Sequence, residues 1–227
     1  MKLFNDDTGW AEARRSIRFT RAALAAVAAH EKLAATMTKL LRDWKSIDDE
    51  RLAAEDETVD ANALVRFRDW ELDDGVTRLA EKTKGDHGGD SKEFGALFPE
   101  APHEVVRLGL ASEIDRIKKW KAATESLSLS KNVRAQLGDI DKTCASGKKA
   151  LDAREAAATS STKIALRMEH WKDDANGARR SIETALADYA NKHGLPRDYP
   201  SAFFPAPAAR PKKKTTTPTP TAATQGA

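Results

Sequence analysis

Apolar residues in the first fifth of the chain recur at alternating spacings of four and three: Phe19, Ala23, Ala26, His30, Leu33, Met37, Leu40 and Trp44. Side chains spaced this way share one face of a helix, and Ile17, Leu24, Val27, Ala34 and Leu41 widen the stripe. A first helix is therefore expected from about residue 9 to about residue 45, burying that face. Neither Gly nor Pro occurs between Gly9 and Gly75. A single helix over that stretch would run roughly 100 Å at 1.5 Å per residue, so a reversal is expected within it.

Two sites compete for the reversal. Around Ser46, Lys39, Arg42 and Lys45 precede and Asp48, Asp49 and Glu50 follow, which suits the dipoles of a helix end and a helix start. Around Thr58, the acids Glu55, Asp56 and Glu57 would sit at a helix C-terminus, where their charge is unfavourable. Ser46 is the better choice, giving a second helix from about 47 to 84, closed by Gly85. Its seam is Leu52, Val59, Ala63, Phe67, Trp70, Val76 and Leu79, and its acidic stretch from Ala53 to Asn62 is expected to be exposed.

Residues 85–102 are too long for a simple turn, and Phe94, Leu97 and Phe98 would be costly to leave in water, so they should fold back onto the helices. A third helix is expected from His103, interrupted or kinked in the Ser-rich stretch 126–132. Its successor begins after a turn at Ser146-Gly147 or at Ser160-Ser161-Thr162. The fourth seam is Ile164, Met168, Trp171, Ala175, Ala178, Ile182, Ala185 and Tyr189, capped by His193-Gly194.

One pattern occurs twice. His87-Gly88 is followed by Leu97-Phe98-Pro99, and His193-Gly194 by Phe203-Phe204-Pro205, at a constant offset of 106; Trp70 and Trp171 match at an offset of 101. This points to a tandem duplication: residues 1–102 as one helical hairpin, 103–205 as a second, and 206–227 as a tail. The expected fold is all-α, an elongated four-helix bundle made from two tandem antiparallel helical hairpins, followed by a disordered Pro/Thr/Ala-rich tail.

Charge modifies this picture little. The net charge is +3, but Arg210, Lys212, Lys213 and Lys214 supply four positive charges, so residues 1–209 sum to −1. Any attraction to nucleic acid would come from the tail, weakly and in a salt-dependent way. The lone Cys144 excludes an internal disulfide, and the most apolar run, residues 22–29, is too short to cross a bilayer. With no signal-peptide core at the start, the expected compartment is the cytoplasm.

Candidate chemistry is sparse. Phosphate-binding glycine loops, nucleophile elbows and zinc-protease signatures are missing from the sequence. Glu100-x-x-His103 has the spacing of a di-iron ligand pair but straddles Pro102. His30 on the apolar seam suits a hydrogen-bonded core residue, and the adjacent acids Asp73-Asp74 and Asp173-Asp174 diverge around a helix and suit solvated faces. The duplicated motif is the best lead. Its plain explanation is helix capping plus an aromatic plug; its functional one is a pair of partner-docking surfaces formed by His87, Leu97, Phe98, His193, Phe203 and Phe204.

The expected function is therefore non-enzymatic: a helical scaffold or protein-interaction module with a protein partner, including self-association, with no cofactor and no small-molecule substrate identified. The alternatives are a nucleic-acid-associated accessory protein contacting phosphates through Arg210, Lys212, Lys213 and Lys214, and a metal- or cofactor-carrying bundle.

Overall fold

A computed structural model describes residues 1–124 and 126–205, and the described residues form helices without a strand. The elements are α1 (Trp10–Ala25), a 3-10 turn (Ala28–His30), α2 (Glu31–His87), α3 (Lys92–Leu97), α4 (Pro102–Val105), α5 (Leu110–Thr124), α6 (Lys131–His193) and a second 3-10 turn (Tyr199–Phe203). The all-α expectation is met. The tail residues 206–227, with Arg210 and Lys212 to Lys214, lie outside the described residues.

The expected reversals at Ser46 and at 146 or 160 do not occur. Helix α2 runs unbroken for 57 residues and α6 for 63. The charges around Ser46 serve the interior of one helix instead of two helix ends: Lys45 bonds Asp49 at 2.7 Å, and Arg51 bonds Asp48 at 2.9 Å and Glu55 at 2.5 Å. Such pairs three and four residues apart stabilise a continuous helix. Farther along, Ser161 Oγ meets Thr58 Oγ1 at 3.3 Å, and Thr162 Oγ1 donates to the Ala158 carbonyl, so these hydroxyls are satisfied without a break.

Breaks occur elsewhere. The first helix ends at Ala25, and Val27 is extended with φ −119° and ψ 110° before α2 starts at Glu31. Phe19, placed on the expected seam, is half-exposed; α1 buries Ala13, Ile17, Thr20 and Leu24 instead. The Ser-rich break is present, with Ser130 Oγ capping α6 by accepting from Val133 N. An unexpected break separates α4 from α5 at Gly109, whose φ of +73° favours glycine.

Packing groups the described chain into two compact units, one of residues 1–41 with 172–205 and one of residues 42–171. In the first, α1 packs on the C-terminal 3-10 turn. Its buried side chains include Ile17, Leu24, Met37, Ile182, Leu186, Phe203 and Phe204.

In the second unit α2 and α6 run antiparallel, as the pairs Glu50–Arg167, Thr58–Ser161 and Gly75–Gln136 show. That register sets Ala61 level with Ala157, both buried, so small side chains line the paired faces. Helix α5 lies close to α6, because Gly147 leaves room for it. A Cβ there would meet Leu110 Cδ1 at 2.9 Å and Ile114 Cδ1 at 3.1 Å. The core of this unit gathers Leu72, Val76 and Leu79 with Leu97, Phe98, Ile114, Ile117, Trp120, Val133 and Ile140.

Candidate functional site

The two copies of the motif begin alike. Gly88 (φ +90°) ends α2 and Gly194 (φ +65°) ends α6, the left-handed geometry that glycine tolerates at a helix C-terminus. After Gly88, Ser91 caps α3 by accepting from Phe94 N at 3.1 Å, and α3 packs against α5. That docking buries Leu97 and Phe98, with the Phe98 ring 5.1 Å from Trp120 in a T-shaped contact. After Gly194, the 3-10 turn buries Phe203 and Phe204. All four apolar side chains of the motif therefore face inward, where they close the ends of the two long helices rather than present a surface.

The histidines differ. His87 Nε2 accepts from Ser130 N at 3.1 Å, and its neighbour Asp86 accepts from Ser130 Oγ at 2.5 Å, tying the end of α2 to the start of α6. His193 is exposed and stacks on Tyr189 with ring centroids 4.2 Å apart. Trp70 and Trp171 also differ: Trp70 is 61% exposed and Trp171 only 3%. Their match in sequence is not a match in surroundings.

His30 is the core residue expected of it. It is buried, shares a 2.8 Å hydrogen bond with Tyr199 OH, and meets the rings of Tyr189 and Phe203 edge-on. Burial lowers its pKa below the ordinary 6.5, partly opposed by a backbone hydrogen bond at Ala29, so burial favours the neutral ring.

Two buried charged side chains were not singled out from the sequence. Arg179 lies under the N-terminal segment, its guanidinium 4.4 Å from the Phe4 ring and 5.6 Å from Phe204. Phe4 is held there by reciprocal bonds with Asn176: Phe4 N donates to Oδ1 at 2.8 Å and Nδ2 donates to the Phe4 carbonyl at 2.9 Å. Burial lowers the Arg179 pKa to about 10, with Glu183 opposing, so it stays cationic and is held by ring faces.

The second is Glu113 on α5, fully buried opposite Asp69 and Asp73 of α2. Burial first, then the charges of Asp73 and Asp69, raise its pKa to about 8, and neither of its carboxyl oxygens meets a donor. Asp73 is raised too, by burial and by Asp69, with Glu113 opposing. The arrangement fits a protonated Glu113 donating to Asp73 between the two helices. The periodicity that buries Glu113 puts it one turn before Ile117 on the apolar face of α5, which was the available signal.

Among the described residues no three His, Cys, Asp or Glu side chains gather as a metal site would require. Glu100 accepts from Arg116 at 2.6 Å, and Cys144 packs at the edge of the core. No helix among the described residues is long and apolar enough to cross a membrane.

One face of α2 carries exposed apolar side chains. Leu52, Val59, Phe67 and Trp70 of α2 are all exposed, with Phe67 and Trp70 ring centroids 6.0 Å apart and the Arg68 guanidinium 5.4 Å from the Phe67 ring. Leu52, Phe67 and Trp70 belong to the seam expected to face a core, and the structure turns them to solvent; Val59 lies in the stretch 53–62 expected to be exposed. No protein-family model, curated protein or solved structure matches the chain.

Proposed function

We propose that the chain is a non-enzymatic helical interaction module that docks a protein surface, including a second copy of itself, onto the exposed face of α2. The observation that carries this reading is the row Leu52, Val59, Phe67 and Trp70, whose large apolar side chains lie in water on one helix. Several exposed large apolar side chains on one helix face suit a binding surface, and tryptophan and arginine are the residues enriched at binding hot spots. The inward-facing Leu97, Phe98, Phe203 and Phe204 support a division of labour in which the duplicated motif closes the fold and α2 meets the partner.

The tandem origin belongs to the same reading, with a changed unit. A short helix, a break, a long helix, a left-handed glycine and an aromatic plug follow in that order in each half, as α1, α2 and α3 and again as α5, α6 and the second 3-10 turn. The ancestral unit is then a long helix with a short helix before it and a plug after it, not a hairpin. The two long helices start 100 residues apart and end 106 apart, which places a six-residue length difference inside them.

Affinity capture from lysate with the full chain, wild type against Val59→Glu/Trp70→Glu, tests the interaction reading. The wild type should retain partners or its own copies that the variant loses, with unchanged helical content. Equal, empty captures by two folded proteins would refute it.

A further inference from the structure

The interaction reading leaves the occupant of the α2 face open, and its charges narrow the choice. At 100° per residue, Leu52, Val59, Ala63 and Trp70 fall within about 20° of a single line along α2, with Phe67 about 60° to one side. Ala54, Ala61, Leu72 and Leu79, all buried, lie on the opposite side of the helix. The strip therefore points directly away from the core and extends about 27 Å.

We propose that this face pairs with the same face of a second copy, the two α2 helices running antiparallel. The proposal rests on the interaction reading and names its partner. Acids flank one half of the strip, Glu55 on one side and Asp56 and Asp60 on the other, while Arg66 borders the other half on the Glu55 side. Glu55 and Arg66 stand on the same flank, about 60° and about 40° from the apolar line. Around a two-fold axis between residues 60 and 61, antiparallel helices bring equal flanks together. Glu55 of each copy then lies level with Arg66 of the other, and Leu52 lies within one residue of the level of Trp70.

A two-fold interface repeats every contact, so the pair contains this ion pair twice. Glu55 already accepts from Arg51 at 2.5 Å, and its second oxygen is available to the incoming guanidinium. A parallel pairing would instead set all the acids 55–60 of one copy level with those of the other and form no Glu55–Arg66 contact, whereas the antiparallel one sets only Asp60 beside its own equivalent, on the opposite flank. Like charges at that spacing oppose association.

Sedimentation equilibrium of the full chain tests the pairing through charge reversal. Wild type should form a dimer. Glu55→Arg and Arg66→Glu should each raise the dimer dissociation constant about tenfold, because two attractive contacts become repulsive. The double reversal Glu55→Arg/Arg66→Glu should restore the wild-type value, and Trp70→Glu should abolish the dimer, with circular dichroism showing each variant folded. A wild type that stays monomeric, or a double reversal as weak as the single ones, overturns the pairing. If a monomeric wild type captures another protein that Trp70→Glu loses, the pairing fails and the interaction reading stands. If it captures nothing, both fail.

Discussion

Replacing Glu113 by Gln isolates the buried carboxyl between α5 and α2. The amide keeps the shape and can still donate to Asp73, but it carries no titratable proton. In the folded chain Glu113 holds its proton up to about pH 8, against an ordinary value of 4.5. The folded state therefore binds a proton that the unfolded state has released throughout that window, so stability must fall as pH rises through it. At about 1.4 kcal/mol per unit, the penalty is near zero around pH 4, about 3 kcal/mol at pH 7, and levels off at about 5 kcal/mol above pH 8. Urea unfolding followed by circular dichroism at pH 4, 7 and 9 measures the difference between wild type and Glu113→Gln. The variant should gain on wild type with increasing pH by amounts of that order. A difference that stays constant over the whole range would show that Glu113 is ionised in the fold and would refute the shared-proton arrangement.

Other variants probe neighbouring links. Asp73→Asn removes the nearest negative charge and should move the Glu113 titration downward, which carboxyl carbon shifts in NMR would register. Phe98→Ala and Phe204→Ala each empty a buried aromatic site and should cost about 3–5 kcal/mol in urea unfolding; a cost below about 1 kcal/mol would argue against the plug. Gly147→Leu forces atoms into Leu110 and Ile114 and should destabilise by about 1–3 kcal/mol, although leucine is the better helix former. Tyr199→Phe removes the partner of His30 and should cost about 1 kcal/mol. The His30 pKa is lowered in the fold, so the unfolded chain takes up a proton first on acidification. The stability it contributes is complete above pH 6.5 and declines below it, and the His30 ring protons should titrate below that value.

The helical class was legible because seams at four-three spacing survive any choice of turn. The turns were not, because the same local chemistry serves two structures. Lys45, Asp48, Asp49 and Arg51 suit helix ends by their dipoles and a helix interior by their pairs, and only tertiary packing selects the second. Gly147 resembles a breaker, yet it sits inside α6, where Leu110 and Ile114 come too near for a Cβ. Conversely, the break at residues 26–30 falls in an alanine-rich run with high helix propensity. There His30 instead packs with Tyr189, Tyr199 and Phe203, residues more than 150 positions away.

The recurring His-Gly and Phe-Pro spacing was legible in the sequence, and the structure buries its Leu97, Phe98, Phe203 and Phe204 side chains. On α2, Leu52, Phe67 and Trp70 face away from the core. Leu52, Val59, Phe67 and Trp70 form a regular seam, and periodicity alone cannot tell a seam that meets the core from one left for another molecule. The signal that could have separated them is the second row, Ala54, Ala61, Leu72 and Leu79, whose small residues at mid-helix suit a close approach of α6.

Oxidative footprinting of Trp70, read by mass spectrometry in dilute purified protein and again at high concentration and in lysate, addresses the α2 face most directly. If that face is a docking surface, Trp70 is modified readily in the dilute sample and protected in one or both of the others, while buried Trp171 stays unmodified throughout. Equal modification of Trp70 under all three conditions would mean that nothing covers this face, and the interaction module would have lost its surface.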